Sequence, residues 1–563
     1  MHAILSTGLA GLAGAVTYLV YQVFIRPRFN PLSRLAGPHV KGGLWGTNLA
    51  EILSATISAE VHEIWTEVYG RSFRIRGAGP WDERLMTLDP VSVTYIMKNS
   101  TVYEKPWQSR KLISSLIGCG MLAAEGQMHK RQRRIATPAF SIQNLRALVP
   151  LVFRKGDELK NKWLEFAAAH PKDSQAPLQL DVCHWVSRAT FDVIGVAGFD
   201  YNFNAIQGET NELFNAYKDM FEIVISQGSG LATAILIYVP WWYKLFPNKI
   251  SRTIDQCQEV IKRVAGNLIQ EKKRKIEEGL KSGIPYAGRD LLSLLLKSNV
   301  AVDLPPDQRI SDEDILNNVN TFMFAGSDTS SLAVTWTLHL LANHLEFQTK
   351  LRDEMLSALP GLSSQDISQF TEDEIHTVYN TIASLPLLDN VVKESIRLIA
   401  PVHSSIRVAT KDDEIPTSYP VVLRDGRVDT KRSVSIEKGS FVHIAVDGFN
   451  KDKEFWGPDA WQFNPDRWDD LPEAAKQLPG LYANTLTFSG GPRSCIGQRF
   501  SLIEIKSFIY TLVTNFVFEP AGLKVVPSNV VLTRPYLSKR HSEGSQCPLF
   551  ITPYAGSESS ADM

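Results

Sequence analysis

The residues best equipped for chemistry lie near the C-terminus, in Phe488–Gly497, FSGGPRSCIG. Glycine and proline mark a loop that ends on Cys495, and an apolar helical pattern runs on from Ser501. A cysteine delivered to a helix start meets unpaired backbone amides and the positive end of the helix dipole. Both favour the thiolate. Two plainer readings stand beside this one. The glycines could serve only as turns, or Cys495 could be a nucleophile, although no histidine stands in the loop to act as its base.

Other clusters carry chemistry of their own. AGSDTSS, Ala325–Ser331, falls in the middle of a long helical pattern. A mid-helix glycine costs about 1 kcal/mol against alanine, so Gly326 signals a packing or functional demand. An Asp328–Thr329 pair on a helix is, in isolation, an ordinary surface pair. In KESIR, Lys393–Arg397, Glu394 and Arg397 are three apart and share a helix face, so they can pair. FNPDRW places Arg467 two residues after Pro465, and HKRQRR, His129–Arg134, is a basic run that also reads as a solvated helix face.

The elements that must position these residues are mostly helices. The clearest spans Ser311 to about His344, and its opening SDED matches a capping box with Asp314 in the glutamate position. Helical spacing also covers Asn211–Gln227, Ile250–Glu278, Leu345–Leu359, Ser384–Ile399 and Ser501–Phe516. Strand-like runs are short: Arg71–Arg76, Leu85–Leu88 and Phe441–Val446. The expected class is mostly α with small β-sheets. Within the Ile250–Glu278 pattern and its end, EKKRKIEEGLK (Glu271–Lys281) reads as a solvated charged face.

Ala3–Ile25 holds 23 residues without a charge, enough at about 1.5 Å each to cross a bilayer as a helix. Arg26, Arg28, Arg34 and Lys41 follow it, which predicts a retained anchor with the body on the cytosolic side. Pro27, Pro31 and Pro38 stiffen a neck over residues 26–43. A polar tail occupies 555–563. Leu231–Pro247, LATAILIYVPWWYKLFP, reads either as a second, interfacial membrane contact or as a core helix and loop. Asn99-Ser100-Thr101 is a glycosylation sequon on the expected cytosolic side, so it is expected to stay unmodified.

Composition excludes several classes. Lys+Arg is 59 and Asp+Glu 60, which leaves no basic excess for a nucleic-acid backbone. The five cysteines show neither zinc-site spacing nor a disulfide framework. No G-x-G-x-x-G fingerprint follows a strand, so any redox chemistry must draw electrons from another protein. At 563 residues the length suggests three or four domains, or one large enzyme domain.

FSGGPRSCIG resembles the heme-binding loop of the cytochrome P-450 family, Phe-x-x-Gly-x-Arg-x-Cys-x-Gly, with every fixed position present. AGSDTSS, KESIR and FNPDRW follow the family's order and spacing, and GFDYNFNA and HKRQRRIATPAF look most like fungal microsomal members. The resemblance covers about Pro38 to Phe550. It implies the cytochrome P-450 fold behind an N-terminal transmembrane helix (1–25) and a neck (26–43), with a heme-thiolate catalytic domain over 44–554. It implies heme b as cofactor and Cys495 as axial thiolate to the iron, a ligand that favours O–O cleavage. Arg493, Arg133 and, more weakly, Arg407 would meet heme propionates; Phe488 would shield the sulfur; Gly491 and Gly497 would admit close backbone approach. His129 stands where the family has Trp, and Asn450 where His is frequent. Thr329 and Asp328 would handle oxygen and protons, and Glu394, Arg397 and Arg467 would form one buried network.

The function so implied is a monooxygenase of the endoplasmic reticulum membrane, single-pass with a cytosolic body. It would oxidise a hydrophobic small molecule (terpenoid, steroid, polycyclic aromatic or long-chain acid) in secondary metabolism or xenobiotic oxidation. Electrons would come from an NADPH-cytochrome reductase, with cytochrome b5 a second candidate donor and Lys130, Arg131 and Arg134 a docking patch. Membrane lipid is the other expected partner. A heme-thiolate isomerase or dehydratase, and a non-catalytic heme-binding membrane protein, are the alternatives. The intact Asp328–Thr329 pair argues against both.

Overall fold

The computed structural model describes residues 13–14, 16–43, 46–52, 54, 57–171, 177–208, 212–226, 238, 242, 245–282, 286, 288–299, 305, 308–528 and 532–555. The chain divides into two compact units. One comprises Met1–Pro106, Val402–Trp461 and Pro472–Ser494; the other comprises Trp107–Pro401, Gln462–Leu471 and Cys495–Met563.

The first unit is built on a five-stranded sheet. Its strand order is Ser72–Arg76, Glu83–Thr87, Phe441–Ala445, Ser404–Ala409 and Tyr103–Glu104. Phe441–Ala445 runs parallel to Glu83–Thr87, and the other neighbours are antiparallel. The three strand-like runs of the sequence are adjacent in this sheet. Inward positions alternate as a half-buried sheet requires: Phe73, Ile75 and Met86 are buried with Trp65 of the helix Ser58–Tyr69. Trp65 meets Phe73 edge to face at 6.0 Å.

The second unit is helical. Its long helix Asp312–Asn343 carries the expected capping box: Ser311 and Asp314 satisfy each other's backbone N–H. It packs chiefly on the helix Val182–Phe199 and also on Gln498–Asn515. A Cβ at Gly326 would fall 2.7 Å from Ile194 Cδ1, so this glycine permits the close approach of two helices. A three-stranded sheet of Phe516–Pro520, Pro548–Pro553 and Gln179–Asp181 closes the unit's end.

The charge run Glu271–Lys281 departs from a uniformly solvated face. Lys272 is 3% exposed. Its ammonium donates to Asp200 at 2.8 Å, Tyr286 at 3.0 Å and Asp290 at 3.1 Å, joining three elements of the helical unit. Burial pulls this ammonium's pKa down, but the three oxygen partners outweigh it and hold the charge in place.

About half of the proposed anchor falls outside the described residues, as do most of Leu231–Pro247 and the tail from 556. Among the described residues, no helix is long and apolar enough to cross a membrane. Tyr18, Leu19 and Tyr21 of the described N-terminal stretch present exposed apolar surface.

Candidate active site

In the helical unit, Cys495 precedes Gly497, which opens the helix Gln498–Asn515. Cys495 is enclosed by protein atoms yet keeps accessible surface, so an incoming group can reach the sulfur. Burial raises its thiol pKa, against the Gly497 N–H and the positive charge of Arg133. The Gly497 N–H and Arg133 act in the direction expected of a helix start, but desolvation is the larger effect and favours the thiol. Arg133 lies on the helix Gly126–Ala136; burial lowers its own pKa and Cys495 opposes that. His129, one turn earlier on the same helix, is 7% exposed. A Cβ on Gly497 would meet only Phe140, at 3.9 Å, so no protein neighbour demands glycine there.

Asp328 and Thr329 sit mid-way along the long helix, which continues through them without a break. The Thr329 hydroxyl donates to the Ala325 carbonyl at 2.8 Å, a back-bond that short hydroxyl side chains make readily within a helix. Asp328 Oδ2 accepts from Arg534 Nη2 at 2.5 Å. A cavity of about 270 Å³ adjoins them, lined by Ser327, Asp328, Ser331, His184, Ser187 and Arg534 among others. Sequence reasoning missed Arg534: it lies some two hundred residues from Asp328, in a strand (Arg534–Leu537) with no chemical pattern of its own.

Glu394 and Arg397 lie on the helix Pro386–Leu398 and are both 0% exposed. Arg397 donates twice to Glu394, at 2.8 and 2.7 Å. Arg467 approaches Glu394 Oε1 at 3.4 Å, and the Asn464 N–H donates to the same oxygen at 3.1 Å. Trp468 Nε1 donates to Oε2 at 3.1 Å. One buried carboxylate thus gathers two guanidinium groups, an indole and a backbone amide. The Asn464 and Trp468 contacts were not foreseen, though both residues flank Arg467 in FNPDRW.

In the sheet unit, Phe488 packs edge to face on Tyr482 at 5.8 Å. Gly491 has φ +63°, and a Cβ there would fall 2.4 Å from the Met97 carbonyl oxygen; glycine is required on both counts. Arg493 ends the 3₁₀ turn Gly491–Arg493. Arg407, 8% exposed, donates to Ser405 Oγ at 2.6 Å from the strand Ser404–Ala409. Asn450 is fully buried. It accepts from the Leu486 N–H at 3.0 Å and donates to Thr487 at 3.1 Å, fixing the chain just ahead of Phe488.

The donor set suits a heme better than a bare metal ion. Among the described residues no three His, Cys, Asp or Glu side chains converge as a metal cluster, so Cys495 would be a single protein ligand. A reachable sulfur with an N–H and a guanidinium at hand fits that role.

A family model for cytochrome P-450 matches residues 67–537. Cytochrome P-450 monooxygenase 128 of Postia placenta is 36% identical over 553 residues, 96% of each chain. Monooxygenase 205 of the same fungus is 37% identical over 98% of each chain. Ganoderic acid synthetase of Ganoderma lucidum is 30% identical, over 94% of this chain and 96% of its own. Members of this family bind heme b through a thiolate. A mostly helical fold, a cysteine at a helix start and relatives that match almost end to end lead to one assignment: the chain belongs to the cytochrome P-450 family and is a monooxygenase.

Proposed function

We propose that this enzyme oxidises an apolar natural product of fungal secondary metabolism, working at the endoplasmic reticulum membrane with electrons from an NADPH-dependent flavoprotein reductase. The observation that carries the site assignment is Cys495: a reachable sulfur at a helix start, with the Gly497 N–H and Arg133 directed to it. Cys495 would hold heme b through its thiolate, and Arg133, Arg493 and Arg407 would supply positive charge for its propionates. When bound, heme b supplies the redox chemistry that splits dioxygen. Each turnover sends one oxygen atom to product and the other to water, so it consumes two electrons and two protons. Asp328 takes protons from the solvent side, and the Thr329 hydroxyl passes them inward once its bond to Ala325 opens.

A relative named ganoderic acid synthetase supports a natural-product substrate. The uncharged run Ala3–Ile25 supports membrane attachment. The test is a substrate panel with reductase and NADPH, read by product mass spectrometry. Oxygenated product formed with NADPH consumption supports the reading; turnover that needs neither NADPH nor dioxygen points instead to an isomerase or dehydratase. Flotation of a chain lacking Met1–Ile25 tests the membrane part. Undiminished association with liposomes would remove the anchor from the account.

A further inference from the structure

The helix Gln498–Asn515 carries a polar stripe that the proposed reaction leaves unused. Ser501, Glu504, Ser507 and Tyr510 recur at three-residue spacing, so each neighbours the next along a ridge that winds around the helix. The Ser501 hydroxyl is bonded to Ser330 of the long helix, at 3.1 Å. Beyond it, the stripe is closed off: Glu504 and Ser507 are 0% exposed and Tyr510 is 3% exposed. Among the described residues, neither carboxyl oxygen of Glu504, nor the Ser507 hydroxyl, nor the Tyr510 hydroxyl has a hydrogen-bond partner.

Buried polar side chains are nearly always partnered, by protein or by ordered water, because an unpaired one forfeits about 1–3 kcal/mol of hydration. Four orphaned polar atoms within two helical turns therefore identify a ligand site. The chemistry of the lining says which ligand. Burial drives the Glu504 carboxyl well above the usual carboxylate range; the Ser330 hydroxyl pulls the other way, and no charged residue takes part. Burial also raises the Tyr510 phenol. The lining is thus a neutral acid and two hydroxyls, which offer donors and acceptors but no charge. A metal ion or an anion would lack a counter-charge there, whereas water matches both kinds of group.

We propose that Glu504, Ser507 and Tyr510 form an internal water site, in which the Glu504 carboxyl keeps its proton and its O–H donates a hydrogen bond to bound water. The retained proton has a consequence for the reaction, and this second step rests on the reading of Cys495 as the heme ligand. Glu504 stands on the helix that begins just after Cys495. An ionised carboxylate there would add a buried negative charge to the thiolate's own helix and disfavour reduction. The protonated site keeps the helix electrically silent.

Infrared spectroscopy of the full-length holoenzyme tests the site. At neutral pH the parent should show the carbonyl stretch of a protonated carboxyl that shifts in heavy water and is lost in Glu504→Gln. Absence of the band in the parent, or its survival in Glu504→Gln, overturns the proposal. Ser507→Ala and Tyr510→Phe should each move the band by loosening the shared water, and they keep the test alive if Glu504→Gln fails to fold. A band unmoved in both overturns the water site. The midpoint potential should be equal in parent and Glu504→Gln from mildly acidic to mildly alkaline pH. A parent potential that falls with pH where the variant's does not shows an ionising carboxyl and overturns the retained proton. The infrared bands do not depend on which residue ligates the heme, so failure of that assignment would be seen separately.

Discussion

Arg534 holds Asp328 by a 2.5 Å bond between Nη2 and Oδ2, with the two side chains only 12% and 21% exposed. The bond fixes the direction of the carboxylate immediately before Thr329 on the long helix. Arg534→Gln should cost roughly 1 kcal/mol, since the pair is partly solvated. It should also lower product formed per NADPH consumed, because a freed Asp328 no longer keeps one orientation. A chemical melt and a coupling measurement check both; unchanged coupling would take Arg534 out of proton handling.

Cys495→Ser should fold and still lack the red-shifted carbon-monoxide band of a thiolate-ligated heme. A hydroxyl of ordinary acidity is a poor anionic ligand, whereas metal binding deprotonates a coordinating thiol outright. The reduced carbon-monoxide difference spectrum decides it, and an unaltered band would move the ligand elsewhere.

Glu394→Gln should be among the most damaging single changes. The carboxylate receives two bonds from Arg397, one each from Asn464 and Trp468, and the approach of Arg467. Removing its charge takes a shared carboxylate from two buried guanidinium groups, a loss of about 3–5 kcal/mol. Expression yield and heme content should collapse together. Replacing Glu394 by Gln with little change in melting would show that the network carries less than its burial suggests.

Acid should weaken the helical unit through His184. Burial first, then the charges of Arg188 and Lys218, push its pKa down to about 4. Its Nε2 accepts from Arg188 Nε at 2.9 Å, a bond that only the neutral ring can take. The unfolded chain binds this proton near pH 6.5 and the folded chain does not. Stability is therefore fully present above about pH 6.5 and is lost as pH falls toward 4. Urea midpoints across that window should decline, and His184→Gln should flatten the decline. A parallel profile in the variant would shift the cause to other buried histidines.

Local pattern was legible in the sequence wherever a helix shows one face to water. The Asp312–Asn343 helix and its capping box, the Pro386–Leu398 helix and the strands at Ser72–Arg76 and Phe441–Ala445 fall close to the expected spans. Val182–Phe199 escaped notice because thirteen of its residues are buried. An element covered on most sides loses the 3.6-residue alternation that reveals it. The partner of Asp328 was hidden for another reason. Arg534 reaches it from a distant stretch of chain, and single-chain spacing says nothing of contacts that only packing creates. Asn450 was visible only as a departure from a family pattern, and its bonds to 486 and 487 show what the substituted amide does.

The enclosure of Lys272 makes the charged run a built-in gauge of local opening. Lys273 and Lys275 keep 28% and 38% of their side-chain surface, whereas Lys272 keeps 4% and is tied to two carboxylates and a phenol. An amine-reactive label would mark the outer pair at once and reach the inner lysine only when the Lys249–Ser282 helix lifts from its neighbours. Adjacent positions in one peptide would then carry their own internal standard, and the ratio of their labelling would time the breathing of the helical unit.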